Sequence, residues 1–259
     1  MRYKLTLEYD GTTLLGWQRQ LDGPSAQEFL EKALQGITGQ SIEVVGAGRT
    51  DAGVHALKQV AHIDLDTKLD TFRIREALNA HLRQLEAPVS VLEVEPVPED
   101  FHARFSATSR IYTYRLLNRR APAVLDQNRV WWVPIPLDVE KMQQAAAYLL
   151  GNHDFTSFRA ASCQAQTPIK TLDRLDIKVS LRGGDADAAI SSNSREIIFT
   201  VEARSFLHHQ VRNMVGTLKM VGEGSLEPEA VKTILEAKDR TKAGATAPAS
   251  GLYLTEIKY

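Results

Sequence analysis

Asp51 and Arg49 stand two residues apart in Gly46-Ala-Gly-Arg-Thr-Asp-Ala-Gly-Val-His-Ala56, a segment holding three glycines and three alanines. Little side-chain bulk surrounds the carboxylate, and glycines let another molecule approach the backbone closely. An ionised carboxylate in a partly dry pocket serves as a nucleophile or a base, and a nearby cation favours its charged form. The same residue types also make a plain surface turn, which on spacing alone is the commoner outcome. Arg212 is the stronger cationic partner. In Phe206-Leu-His-His-Gln-Val-Arg-Asn213 a helix would set His208 and Arg212 one turn apart on a shared face. A structural salt bridge fits these residues equally well.

Two other clusters suit nucleic acid. Residues 101–120 carry Arg104, Arg110, Arg115, Arg119 and Arg120 with no acid, interleaved with Phe101, Phe105, Tyr112 and Tyr114. On a strand Arg110, Tyr112 and Tyr114 share one face. A cation beside aromatic rings is how proteins hold an unstacked base; core aromatics with a solvent-reaching arginine read the same way. The second cluster is Asp10 to Gln20, with Trp17 beside Gln18, Arg19 and Gln20. It suits phosphate and base contact, although for Trp17 itself an indole anchoring the loop to the core is favoured. The seven histidines show no metal-ligand spacing, and His208 and His209 are expected on different faces of a helix, so no metal is expected. Neither standard glycine-rich nucleotide loop occurs.

The elements that must position these groups are legible as periodicities. Alternation predicts strands over 3–9, 59–65, 89–94, 111–117, 172–179, 196–203 and 252–259. Ser25-Ala-Gln-Glu28 is a capping box. The helix it opens carries Phe29, Leu30, Ala33, Leu34 and Ile37 on one face, with Gly39 as its stop. Further helices are predicted over 72–82, from Asp138 to a stop at Gly151, over about 207–221, and beginning near Pro228. Strands and helices mix without a strict βαβα rhythm, so an α+β architecture with antiparallel sheets is expected. A boundary is placed near residue 105, giving an N-terminal domain over 1–105 and a C-terminal domain over 106–259. Residues 182–195 read as a long hairpin loop, and 239–251 as a loop of small residues, either mobile over a site or slack.

The totals exclude several classes. The chain has 259 residues, 43% of them hydrophobic and 24% charged, as in ordinary globular proteins. A net charge of −1 means that any basic surface must be local. No apolar run is long enough to span a membrane, and the N-terminus has no signal-peptide pattern. The single cysteine, Cys163, excludes an intrachain disulfide. A cytoplasmic setting is expected.

Six segments together resemble one family. YDGT…GWQRQ (9–20), GAGRTDAGVHA (46–56), FHARFSATSRIYTYR (101–115), GNHDFTSF (151–158), FLHHQVRNMVG (206–216) and APASGLYL (247–254) follow the order of the TruA-type tRNA pseudouridine synthases. The resemblance implies an α+β fold of two similar domains, with antiparallel sheets flanked by helices and an RNA-binding cleft between them. It implies that Asp51 is the catalytic aspartate, acting as nucleophile at the ribose or as base. Tyr112 matches the tyrosine that stacks on the target base and is implicated in proton removal. Arg212 matches the basic partner of the aspartate, Arg49 an arginine associated with flipping the nucleotide, and Leu252 an apolar pocket residue. Arg104 and Arg110 are further RNA-binding candidates. Implied too are a homodimer, no metal or organic cofactor, and uridines 38, 39 and 40 of the tRNA anticodon stem-loop as targets. Leu14 departs from the pattern, which usually has an aromatic residue there. The rival functions are a non-catalytic RNA-binding module and a hydrolase using Asp51 with a histidine.

Overall fold

The structure is a computed structural model that describes residues 1–181 and 195–259; the long hairpin loop expected over 182–195 falls almost wholly outside them. The chain forms two compact units, Met1–Arg110 with Tyr253–Tyr259, and Ile111–Leu252.

The first unit is built on β1 (Arg2–Tyr9), whose alternating burial follows directly from its sequence: Tyr3, Leu5, Leu7 and Tyr9 face inward. β1 pairs antiparallel with both β3 (His55–Asp64) and β4 (Val89–Val97), and the short β2 (Val45–Gly46) pairs antiparallel with the other side of β3. Helices α1 (Ala26–Thr38) and α2 (Thr71–Gln84) pack against each other, and α2 lies on β4. Leu30 and Leu34 of α1, Ile74 and Leu78 of α2, and Leu5, Leu7 and Ile63 of the strands are all buried from water. Each such side chain contributes roughly 2 kcal/mol of burial. The ends of α1 follow the sequence reading: Ser25 Oγ accepts from the Glu28 amide, and Gly39 closes the helix with φ +70°.

The last strand, β10 (Leu252–Lys258), runs parallel to β3, pairing Tyr253 with His55 and Leu254 with Ala56. It therefore belongs, from Tyr253 onward, to the first unit. A single cut near residue 105 leaves this return strand out, because a pairing almost two hundred residues distant leaves no mark on local periodicity.

In the second unit the strand order is β5 (Ser109–Asn118), β9 (Arg195–Ala203), β8 (Ile169–Leu181), β7 (Gly151–Asp154), with β6 (Trp131–Val133) parallel to β5. β8 pairs antiparallel with β7 and β9. Helix α3 (Val139–Ala147) packs on β8 and against α4 (Gln210–Gly222); α5 (Ala230–Ala237) completes the unit. Tyr114, Phe155, Phe158, Phe199, Met142, Met214 and Leu218 are fully buried. Asp138 caps α3 as expected, but the helix stops at Ala147 rather than Gly151, and Leu149 and Leu150 lie in the turn that follows.

Two glycines separate backbone conformation from packing. Gly16 has φ +100°, and a methyl group there would stand 2.3 Å from the Thr50 carbonyl oxygen; Gly39 has φ +70° and open space around it. Gly39→Ala is expected to cost about 1–2 kcal/mol, the left-handed backbone alone. Gly16→Ala is expected to cost roughly 1–3 kcal/mol more, because the clash adds to the strain. Urea unfolding of the two variants measures the difference.

Candidate active site

The Asp51 segment is fastened to its unit on several sides. The Ala47 amide donates to Val60 O at 2.8 Å, and Gln59 Nε2 donates to Gly48 O at 2.9 Å. The buried Thr50 meets the Tyr9 hydroxyl at 2.9 Å. Gln59 Nε2 also donates to that phenol oxygen, so one buried cluster joins Tyr9, Thr50 and Gln59. Burial pushes the Tyr9 phenol up to about 12, keeping it neutral. From the other side comes the loop 10–17. Trp17 N donates to Thr50 O, Gly53 N donates to Leu14 O, and Gly11 N donates to His55 Nδ1 at 3.0 Å. Methyl groups at Gly11 and Gly16 would collide with Val54 O and Thr50 O, so the two main chains touch directly.

Trp17 is 2% exposed and lies over Gly46, where a Cβ would sit 2.3 Å from the indole nitrogen. The anchoring role favoured for this residue from sequence is what the structure shows. Leu14, the departure from the family pattern, is likewise buried and carries the carbonyl that Gly53 uses. Asp51 itself is half-buried and Arg49 is exposed, its Nε donating to Gln18 Oε1 at 3.2 Å. Gln18 is in turn fixed by Gln27 on α1. This unit therefore brings Asp51 and Arg49 together on one rigid, glycine-rich loop. Arg110 acts beside it as a fastener: its Nη2 donates to Ala47 O at 3.0 Å and to Arg104 O at 2.7 Å. Arg104 is exposed.

In the second unit Tyr112 is 9% exposed and meets Phe206 edge-on at 5.3 Å between ring centroids. Tyr114, two residues on, is a core residue: its ring packs on Trp131 and Phe199 and its hydroxyl donates to Pro248 O at 2.8 Å. Burial raises its phenol well above the ordinary value, with the Arg212 charge acting in the opposite direction. Of the two strand tyrosines the bland reading thus holds for Tyr114. Leu252, 5% exposed, follows Gly251, which must lack a side chain because the Tyr114 ring lies 2.7 Å from where its Cβ would be.

Arg212 sits on α4, half-buried, its Nε donating to Ala247 O at 2.8 Å while the Ala247 amide donates back to Arg212 O. The helix begins at Gln210 rather than near Leu207, because His209 takes the left-handed conformation, φ +62°. His208 is therefore off the helix and does not share a face with Arg212. Nor do His208 and His209 point apart: their ring centroids are 4.0 Å from each other.

The loop 239–251 is tied to α4 by hydrogen bonds along its length. Arg240 Nη2 donates to Asn213 Oδ1 at 3.0 Å and Thr246 Oγ1 at 3.1 Å, Thr246 donates to Asn213 Oδ1 at 2.7 Å, and Asn213 Nδ2 donates to Phe158 O. Gly244 N donates to Thr217 Oγ1, and Gly216 lies so close to Ala245 O that a methyl group would overlap it. Asn213, Arg240 and Thr246 were not singled out from sequence. Gln210, Asn213 and Thr217, a polar row at helical spacing in an otherwise apolar segment, were the available signal.

Comparison with known proteins places these residues in context. The family model described as tRNA pseudouridine synthase matches residues 6–106 and 145–259. A protein of Paramagnetospirillum magneticum named tRNA pseudouridine synthase A is 55% identical over 258 residues, covering 100% of this chain and 95% of that one. Proteins of the same name from Rhodospirillum centenum and Allorhizobium ampelinum are 52% and 51% identical, each across 100% of this chain and 99% and 95% of theirs.

The Asn213 cluster yields a stability test. Asn213→Ala removes the acceptor shared by Arg240 and Thr246 and the donor to Phe158 O, and is expected to cost about 3 kcal/mol in chemical denaturation. Asn213→Asp keeps the acceptor but sets a second oxygen against Phe158 O in a fully buried position, so it should not restore wild-type stability.

Proposed function

The chain belongs to the tRNA pseudouridine synthase family, and on that premise we propose how its residues carry the reaction. The enzyme is an isomerase that converts uridine in tRNA to pseudouridine. In this reading its targets are uridines 38, 39 and 40 of the anticodon stem-loop, and it works in the cytoplasm as a homodimer.

The reaction breaks the bond from ribose C1′ to uracil N1, turns the base and joins C1′ to C5. The proton on C5 is lost and N1 gains one, so no atom is gained or lost overall. Asp51 attacks C1′ as uracil leaves with the bonding electrons, and is released when C5 forms its bond. The observation that carries this assignment is the fastening of the Asp51 loop. Its backbone is held by Gln59, Tyr9–Thr50, Trp17 and the carbonyl of Leu14, while the carboxylate remains half-buried at the surface of the unit. A nucleophile placed this rigidly loses little orientational freedom when the ribose arrives.

Tyr112 supplies the ring on which the extruded base rests and takes part in removing the C5 proton. Leu252, an apolar and nearly buried side chain, keeps water from the detached uracil, which would otherwise leave an abasic site. Arg212 provides a cation fixed on a helix and on Ala247. Arg49, exposed beside Asp51, replaces contacts that the nucleotide loses on leaving the stack, a step costing a few kcal/mol. The charges needed for tRNA binding are local, so affinity should fall as salt rises.

Asp51→Asn is expected to reduce tritium release from C5-labelled uridine tRNA to background while tRNA binding largely survives. An active variant would refute the nucleophile. Mapping pseudouridine in tRNA from cells with and without the protein tests the three positions: modification persisting at 38–40 without it removes them from this enzyme.

A further inference from the structure

We infer that Phe105, with Arg104 and His102, forms a stacking platform for a second unpaired base of the tRNA, distinct from the base that is isomerised. This rests on the isomerase reading above. Phe105 is 72% exposed, a costly position for an aromatic ring. Single exposed apolar residues are ordinary, but three observations set this one apart.

The ring is built into a stack rather than left dangling. His102 lies against it with centroids 4.4 Å apart and planes at 36°, and the Arg104 guanidinium carbon is 5.6 Å from its centroid. Most of the ring nevertheless remains open. A base adds to such an arrangement through its π face, with the guanidinium in reach of its phosphate.

The loop that presents the ring is rigid. His102 Nδ1 accepts from the Arg104 amide at 3.1 Å and the Phe105 amide at 3.3 Å, while the Ser106 hydroxyl accepts from the His102 amide. Ala103 is held by His62 Nδ1 through its amide and by the Tyr259 hydroxyl through its carbonyl. A surface loop with this many ties could turn a phenyl ring inward; this one is held with the ring outward.

The platform is also joined to the reaction. Arg110 spans Arg104 O and Ala47 O, so one guanidinium bonds both the stacking loop and the loop that carries Asp51. A base caught on Phe105 is thereby registered against the aspartate within a single unit. Occupancy by RNA rather than by a protein surface follows from the company the ring keeps: a guanidinium and an imidazole, with no carboxylate in residues 101–109.

The test measures tRNA binding and C5 tritium release separately for the full-length protein. Phe105→Ala should raise the dissociation constant and KM for tRNA on the order of tenfold, as for loss of one stacked base. Phe105→Trp and Phe105→Tyr should restore both, and Phe105→Leu should not. In the wild type, tRNA carrying 5-iodouridine should photo-cross-link to the peptide containing Phe105. Unchanged binding by Phe105→Ala overturns the inference, as does full rescue by Leu, which would mean an apolar contact without stacking. A change of oligomeric state with tRNA affinity intact also overturns it and assigns the ring to a protein interface. Failure of the isomerase reading looks different: the wild type itself would release no tritium.

Discussion

The contact between main chain and main chain at Gly16 and Thr50 is the constraint on which the Asp51 loop depends. With φ +100° and a carbonyl oxygen 2.3 Å from where a Cβ would be, residue 16 admits glycine alone. That approach brings the Trp17 amide onto Thr50 O and lets the indole cover Gly46. Thr50 is then buried, so its hydroxyl needs a partner, and Tyr9 at the end of β1 provides it. Asp51 inherits its place from this chain of necessities. The groups in this chain are uncharged, and the Arg110 guanidinium adds a charged tie at Ala47 O.

Much of this was legible in sequence, for identifiable reasons. Ser25 and Asp138 announced their helices through a short-range cap, and β1 announced itself through strict alternation, because both signals live within a few residues. Asp51 stood out because glycines and alanines clear space around it. The short strands β2, β6 and β7 were not legible: two to four residues carry no period. The start of α4 was misplaced because His208 and His209 continue a helical pattern of side chains, while the left-handed backbone at His209 leaves no trace in it. The partners of the Asp51 loop, Tyr9 and Gln59, were missed because their roles arise from pairings across 41 and 11 residues.

Arg110 shows what alternation along a strand leaves out. Alternation put it in one row with Tyr112 and Tyr114, as if all three met a ligand. Its guanidinium satisfies backbone carbonyls at Ala47 and Arg104, and Tyr114 is wholly interior. A planar donor with five N–H groups is suited to tying separate loops together, and Arg110 does so here. Arg240 repeats the pattern in the second unit, where its guanidinium gathers Asn213, Thr246 and Ala243 O.

Both units thus use glycine for closeness rather than for flexibility. Gly11 and Gly16 in one, and Gly216 in the other, let a carbonyl of a second segment lie where a side chain would be. The segments so gripped are those that carry Asp51 and, through Ala247, the Arg212 side chain. Fixed dipoles and charges cost no reorganisation when the reacting atoms arrive. The corollary is a division of labour in the proposed reaction: with loops 10–17, 46–56 and 239–251 already fastened, the large displacement falls to the nucleotide. In that proposal Arg49, exposed on fastened backbone, meets the base as it leaves the stack, while the Phe105 platform holds a second, unpaired one.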